Sequence, residues 1–150
     1  MAGRQEESMI AYCGLYCGDC PIFGSGMAGL AKELLVKLEE SHLERWGPGL
    51  SELTDEFKAF ANYRQGLDFL NALDLLRCER TCRQGGGGGD CRIRACCREK
   101  GFEGCWLCAE MESCEKLDWL TPVNRGAHLK NLTVIREQGK EEFLEGEKAW

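Results

Sequence analysis

The sequence predicts a small, mainly α-helical domain carrying irregular cysteine-rich segments, and three observations lead there. Apolar residues recur at spacings of three and four in several separate stretches, and no stretch alternates strongly as a strand would. All 11 cysteines fall in two clusters, residues 13–20 and 78–114, with 57 cysteine-free residues between them. The chain has 150 residues, 43% of them apolar, enough for one modest core. We expect one domain over residues 9–150, preceded by a flexible polar tail over residues 1–8.

Each element has its own signal. Cys13, Cys17 and Cys20 lie in the string CGLYCGDCP, where Pro21 favours a tight turn. Residues 27–46 carry Leu30, Leu34, Leu35 and Leu38 at helical spacing, and Gly47-Pro48-Gly49 is expected to stop that helix. Ser51 or Thr54 can cap a second helix through Leu53, Phe57, Phe60, Arg64 and Leu67, which Gly66 should kink or divide. Phe69, Leu70, Leu73 and Leu76 carry the pattern into the second cysteine cluster, itself interrupted by Gly85 to Gly89. Thr121-Pro122 is a good helix start, because proline in the first turn gives up no needed N–H. Leu129, Leu132, Ile135, Phe143 and Leu144 form a C-terminal helical pair, broken at Gly139. Trp46, Trp119 and Trp150 read as core or edge packing.

Composition narrows the chemistry. No apolar run is long enough to span a membrane, and Met1 to Met9 lacks the apolar stretch of a signal peptide. The expectation is a soluble, unexported, cytoplasmic protein. In a reducing compartment eleven cysteines point to metal ligands or redox thiols; in an exported chain they would point to disulfides with one thiol left over. A net charge of −6 argues against a nucleic-acid binder, whose affinity comes from neutralising Lys and Arg. Residues 77–100 depart from this, with seven basic residues against three acidic ones. That strip can contact RNA or DNA, with Trp106 to stack on a base, or it can act internally by holding nearby sulfurs ionised. The acidic whole favours the internal role.

The strongest cysteine pattern is Cys96, Cys105, Cys108 and Cys114, spaced C-x8-C-x2-C-x5-C. A C-x2-C turn brings two sulfurs within about 2.3 Å of one zinc ion, and two flanking thiolates complete a tetrahedron. Such a closed site stabilises a fold and performs no catalysis. The second C-x2-C is Cys17 and Cys20, with Cys13 four positions earlier; Cys78, Cys82 and Cys91 are the cysteines nearest to completing that site. Spacing alone does not identify the quartet. Two four-thiolate sites use eight cysteines, and adjacent Cys96 and Cys97 are poorly placed to share an ion, so Cys97 is the first candidate for a non-ligand. Two zinc ions are the expected cofactors, with an iron–sulfur cluster as the alternative because four cysteines serve both. Cys13-x3-Cys17-x2-Cys20 resembles the spacing of three iron ligands in radical SAM enzymes. Against that, Asp19 stands where those enzymes usually place an aromatic, and no repeated strand–helix units follow. A dithiol oxidoreductase lacks its usual βαβ context.

The ordered motifs YCGLYCGDCP (12–21), CRIRACCREKG (91–101), CWLC (105–108) and CEKL (114–117), with NLTVIREQGKEEFLE (131–145), resemble the cysteine-rich family known as domain of unknown function 3795. The resemblance covers nearly the whole chain and implies a small soluble protein with a metal-binding role and no assigned activity. It places the family's recurrent cysteines on Cys13, Cys17, Cys20, Cys78, Cys82, Cys91, Cys96, Cys105, Cys108 and Cys114. Ser113 stands where a proline often precedes the cysteine, Cys78-x3-Cys82 is one residue wider than the usual pair, and the five glycines are a local expansion.

Other residues take ordinary roles. His42 sits in a charged helix end and reads as solvated or capping, and His128 reads similarly; neither has a Ser or Asp partner for a triad. Gly85 to Gly89 lacks the strand and the Lys-Ser/Thr of a phosphate loop and reads as a flexible loop. The expected function is a non-catalytic metal-binding module that works through a protein partner, with redox and nucleic-acid-binding modules as the competing classes.

Overall fold

Helices form where the apolar periodicity places them, although several end elsewhere than expected. The structure, a computed structural model, describes residues 6–87 and 89–150; most of the expected tail (residues 1–5) and Gly88 of the glycine run lie outside the described residues. Among the described residues the chain is mainly helical, with no strand and two isolated bridges, Ile10–Tyr16 and Phe23–Cys78. It divides into two compact units, one of residues 24–77 and one of residues 1–23 with 78–150.

The 24–77 unit contains α1 (Met27–Glu40), α2 (Leu43–Leu50), a 3-10 stretch Asp55–Asn62, and α3 (Tyr63–Asp74). The single helix expected over 27–46 is two. The Ser41 hydroxyl donates back to the Leu38 carbonyl at 2.9 Å, and His42 turns left-handed with φ 50°, so α1 ends there. Helix α2 then runs through Gly47, Pro48 and Gly49 instead of stopping before them. Proline is tolerated because α2 is short and its last turn is closed by the Ser51 N–H and hydroxyl, which both donate to the Pro48 carbonyl. Ser51 thus closes a helix rather than starting one, and Thr54 precedes a 3-10 stretch rather than an α-helix. The division expected at Gly66 falls instead at the junction before Tyr63; Gly66 stays inside α3 at the usual cost of about 1 kcal/mol against alanine. Helix α1 packs on α3, but the buried residues of this unit are Ala28, Ala31 and Gly47, while Leu30, Phe69 and Leu75 are exposed.

The other unit holds α4 (Arg92–Glu99), α5 (Glu115–Asp118), α6 (Thr121–Asn124) and α7 (Ala127–Glu145). Pro122 opens α6, and α7 breaks at Gly139 (φ 93°), both as the sequence indicates. The core gathers Ile10, Ile93, Trp106, Met111, Leu117, Leu132, Ile135 and Phe143 around the sulfurs of Cys97 and Cys105. The tryptophans correct the expectation: Trp46, Trp119 and Trp150 are exposed, whereas Trp106 is only 6% exposed and cannot stack on a base. His128 is also fully buried, because it lies on the α7 face that carries Leu132 and Ile135. Its Nδ1–H donates to Asn124 Oδ1 at 2.7 Å, and burial holds its pKa below the ordinary histidine value. The chain is pinned near its start by Glu7, which pairs with Lys140 at 2.7 Å; Lys140 also pairs with Glu103. No helix among the described residues is long and apolar enough to cross a membrane.

Candidate metal centre

Both C-x2-C pairs fold into the same local structure. Cys17 opens a one-turn 3-10 helix, Cys17–Asp19, and Cys20 follows it in extended conformation with its N–H returning to the Cys17 carbonyl at 3.2 Å. Cys105 opens the turn Cys105–Leu107, and Cys108 returns its N–H to the Cys105 carbonyl at 2.9 Å. Cys114 has the same placement after Met111–Ser113. One turn that ends in extended backbone sets two cysteine side chains a short distance apart.

The C-terminal group lines a cavity of about 580 Å³ that takes in Cys96, Cys97, Cys105, Cys108 and Cys114. Helix α4 supplies the first two sulfurs. The Cys105 turn is anchored twice: the Cys105 N–H donates to the Tyr12 carbonyl at 2.8 Å, and Arg136 on α7 donates to the carbonyls of Trp106 and Cys108 at 3.2 and 2.6 Å. Lys100 stands beside this group, and its pKa is raised chiefly by Cys108, then by Cys96. Cys97, which the spacing set aside, is buried and its sulfur is 3.5 Å from that of Cys105. The hydrogen bond between them lowers the Cys97 pKa and raises that of Cys105. Arg83 and Lys100 favour the charge on Cys97.

The N-terminal group is assembled from distant segments. The isolated parallel bridge between Phe23 and Cys78 makes the chain leave and re-enter this unit at adjacent points, which returns Cys78 and Cys82 to the Cys17 turn. Burial raises the Cys17 pKa, a backbone hydrogen bond from Cys82 opposes this, and Cys82, Cys20 and Cys78 add repulsion. Cys78 accepts the Gly87 N–H at 3.2 Å. Cys13 is pushed up to about 12 by burial, with Cys82 and Cys91 as further like-charge neighbours. All eleven cysteines are free. Among the described residues no three His, Cys, Asp or Glu side chains stand together as an ion site.

The basic strip of residues 77–100 is turned inward at its central positions. Arg94 is buried and donates to the carbonyls of Cys82, Gly86 and Gly89. Arg83 donates to Ile10 and Glu103 carbonyls and stacks over the Tyr12 ring at 4.5 Å. These guanidiniums fasten the cysteine-bearing backbone, whereas the sequence led us to expect them to hold sulfurs ionised, which Arg83 does toward Cys97. Arg136 carries no sequence signal, because its partners are 28 and 30 residues away. His42 is exposed, 3.6 Å from Glu44, and outside both groups.

The described motifs coincide with a known family pattern. The model of the family described as Protein of unknown function (DUF3795) matches residues 9–119. The chain belongs to this family. The matched span includes all 11 cysteines and both 3-10 turns of the C-x2-C pairs. No curated protein and no solved structure matches the chain.

Proposed function

We propose that this family member is a non-catalytic metal-binding module that holds two zinc ions, each through four thiolates, and works through a protein partner. One ion takes Cys96, Cys105, Cys108 and Cys114. The other takes Cys17, Cys20, Cys78 and Cys82. The observation that carries this reading is the shared turn of the two C-x2-C pairs, each beside further cysteines from a separate segment.

The electrostatics support it. Burial raises the pKa values of Cys13 and Cys17 and the hydrogen bond with Cys97 raises that of Cys105, and neighbouring cysteines add like-charge repulsion at all three. A divalent ion reverses the balance, because coordination deprotonates each thiol outright. The Gly87 N–H to Cys78 and the Cys82 hydrogen bond to Cys17 suit thiolates, which accept such bonds better than thiols do. A closed four-thiolate site leaves no position for substrate, so the ion stabilises the fold.

A protein partner is favoured over nucleic acid. The central arginines are committed to backbone carbonyls and Trp106 is buried. The 24–77 unit carries an apolar groove of about 460 Å³ lined by Leu38, Leu43, Phe60, Tyr63, Leu67 and Leu70, the kind of surface that contacts protein. The assignment is tested with two serine variants of the full chain. Cys108→Ser and Cys17→Ser should each lower bound zinc from two per chain to about one and lower the thermal midpoint. Unchanged zinc and an unchanged midpoint in either variant would refute the corresponding site.

A further inference from the structure

We propose that Cys97 and Cys105 form a hydroperoxide-sensitive thiol pair whose oxidation to a disulfide withdraws Cys105 from its ion. The inference rests on the zinc reading for the release step, while the thiol pair itself rests on geometry alone. The two sulfurs are 3.5 Å apart, and a disulfide draws such a pair to about 2.05 Å. The backbone at each is held by another contact: the Cys97 carbonyl accepts from Phe102 N–H, and the Cys105 N–H donates to Tyr12. Closure is therefore a side-chain movement between two fixed points eight residues apart.

Access and chemistry select the oxidant. Cys97 is 3% exposed, which keeps out a protein or peptide disulfide, yet Cys97 and Cys105 both line the same 580 Å³ cavity. A small, neutral two-electron oxidant fits that route, and hydrogen peroxide is its simplest member. Cys13, Cys91 and Cys97 belong to neither zinc quartet, and of these three Cys97 is the one whose sulfur stands 3.5 Å from that of Cys105. Its sulfur attacks one peroxide oxygen, the O–O bond breaks, and Cys97 sulfenic acid and one water result. The Cys105 sulfur then attacks the Cys97 sulfur, the S–O bond breaks and hydroxide leaves, taking up a proton to become the second water. One thiol and one thiolate have together lost two electrons, and one peroxide with one proton from solvent has become two waters. Cys105 no longer carries the charge that held the ion, and three thiolates remain.

The test uses the full chain, purified anaerobically, its metal content measured, then treated with hydrogen peroxide. Ion release is followed with a chromogenic chelator, and disulfides are mapped after alkylation and tryptic digestion. The expected crosslink joins peptide 95–98 to peptide 101–116, with loss of one of two zinc ions. Cys97→Ala should abolish that crosslink and slow release by about tenfold, since it removes the thiol that stands 3.5 Å from Cys105. If zinc is bound but the crosslink is missing, or joins other cysteines, the thiol pair is refuted whatever the variant does. If Cys97→Ala loses zinc at the wild-type rate, the release role is refuted. A purified protein without zinc refutes the functional reading instead, and the crosslink measured in that same sample still decides the pair.

Discussion

A glycine stands beside each C-x2-C pair because an aromatic ring occupies the space a side chain would need. A Cβ on Gly104 would lie 2.1 Å from the Trp106 ring, and one on Gly18 would lie 2.4 Å from the Tyr16 ring. Gly104 has extended backbone that any residue adopts (φ −173°), so its requirement is purely steric. Trp106 is buried with its carbonyl held by Arg136 and has little room to yield. Gly104→Ala should therefore cost about 1–3 kcal/mol, typical of overpacking. Denaturant unfolding of the metal-loaded protein checks this. Gly18→Ala should cost less, because Tyr16 is only half-buried, and equal losses would contradict the assignment of cost to ring confinement. Neither glycine is marked by its neighbours in sequence as special, since the ring that excludes a side chain is apparent only once the turn is folded.

At the scale of elements, the helices were legible where an apolar stripe meets a core and less so where an end depends on one hydrogen bond. Leu132, Ile135 and Phe143 of α7 are buried as their spacing predicts, and the Gly139 break follows from glycine's access to positive φ. The end of α1 was missed because it depends on Ser41 bonding backward and His42 turning left-handed, choices within reach of many residues. The cysteine pairs were legible because x2 spacing has a local consequence, a single turn. The Arg94 anchor was not, because its three carbonyl partners lie in a loop brought to it by the fold. Arg94→Leu leaves those carbonyls without their charged donor and should cost about 2–3 kcal/mol. It should also weaken zinc at the Cys17 site, since the Cys82 carbonyl is one of the three, while zinc at the Cys108 site is retained. Arg94→Lys should recover only part of the loss, because an ammonium cannot reproduce the forked geometry. Competitive zinc titration of the three proteins gives the comparison, and equal affinities at both sites would show the anchor to be immaterial.

For the whole molecule, the two compact units divide the physical labour. The unit of residues 1–23 and 78–150 contains every cysteine and, among the described residues, every large fully buried side chain, Phe143, Ile10, Met111, Leu117 and Leu132 included. The 24–77 unit buries only small residues among those described and leaves Leu75 85% exposed, so its stability draws little on an apolar core. Where hydrophobic burial is modest, ion binding that occurs only in the folded arrangement adds directly to folding free energy. The account's central claim is that the cysteine unit holds two zinc ions, and elemental analysis of anaerobically purified full-length protein tests it most directly, read together with an absorption spectrum of the same sample. Close to two zinc per chain and no visible absorbance is the predicted result. Iron with acid-labile sulfide and a broad visible band, or protein free of both metals, would contradict it.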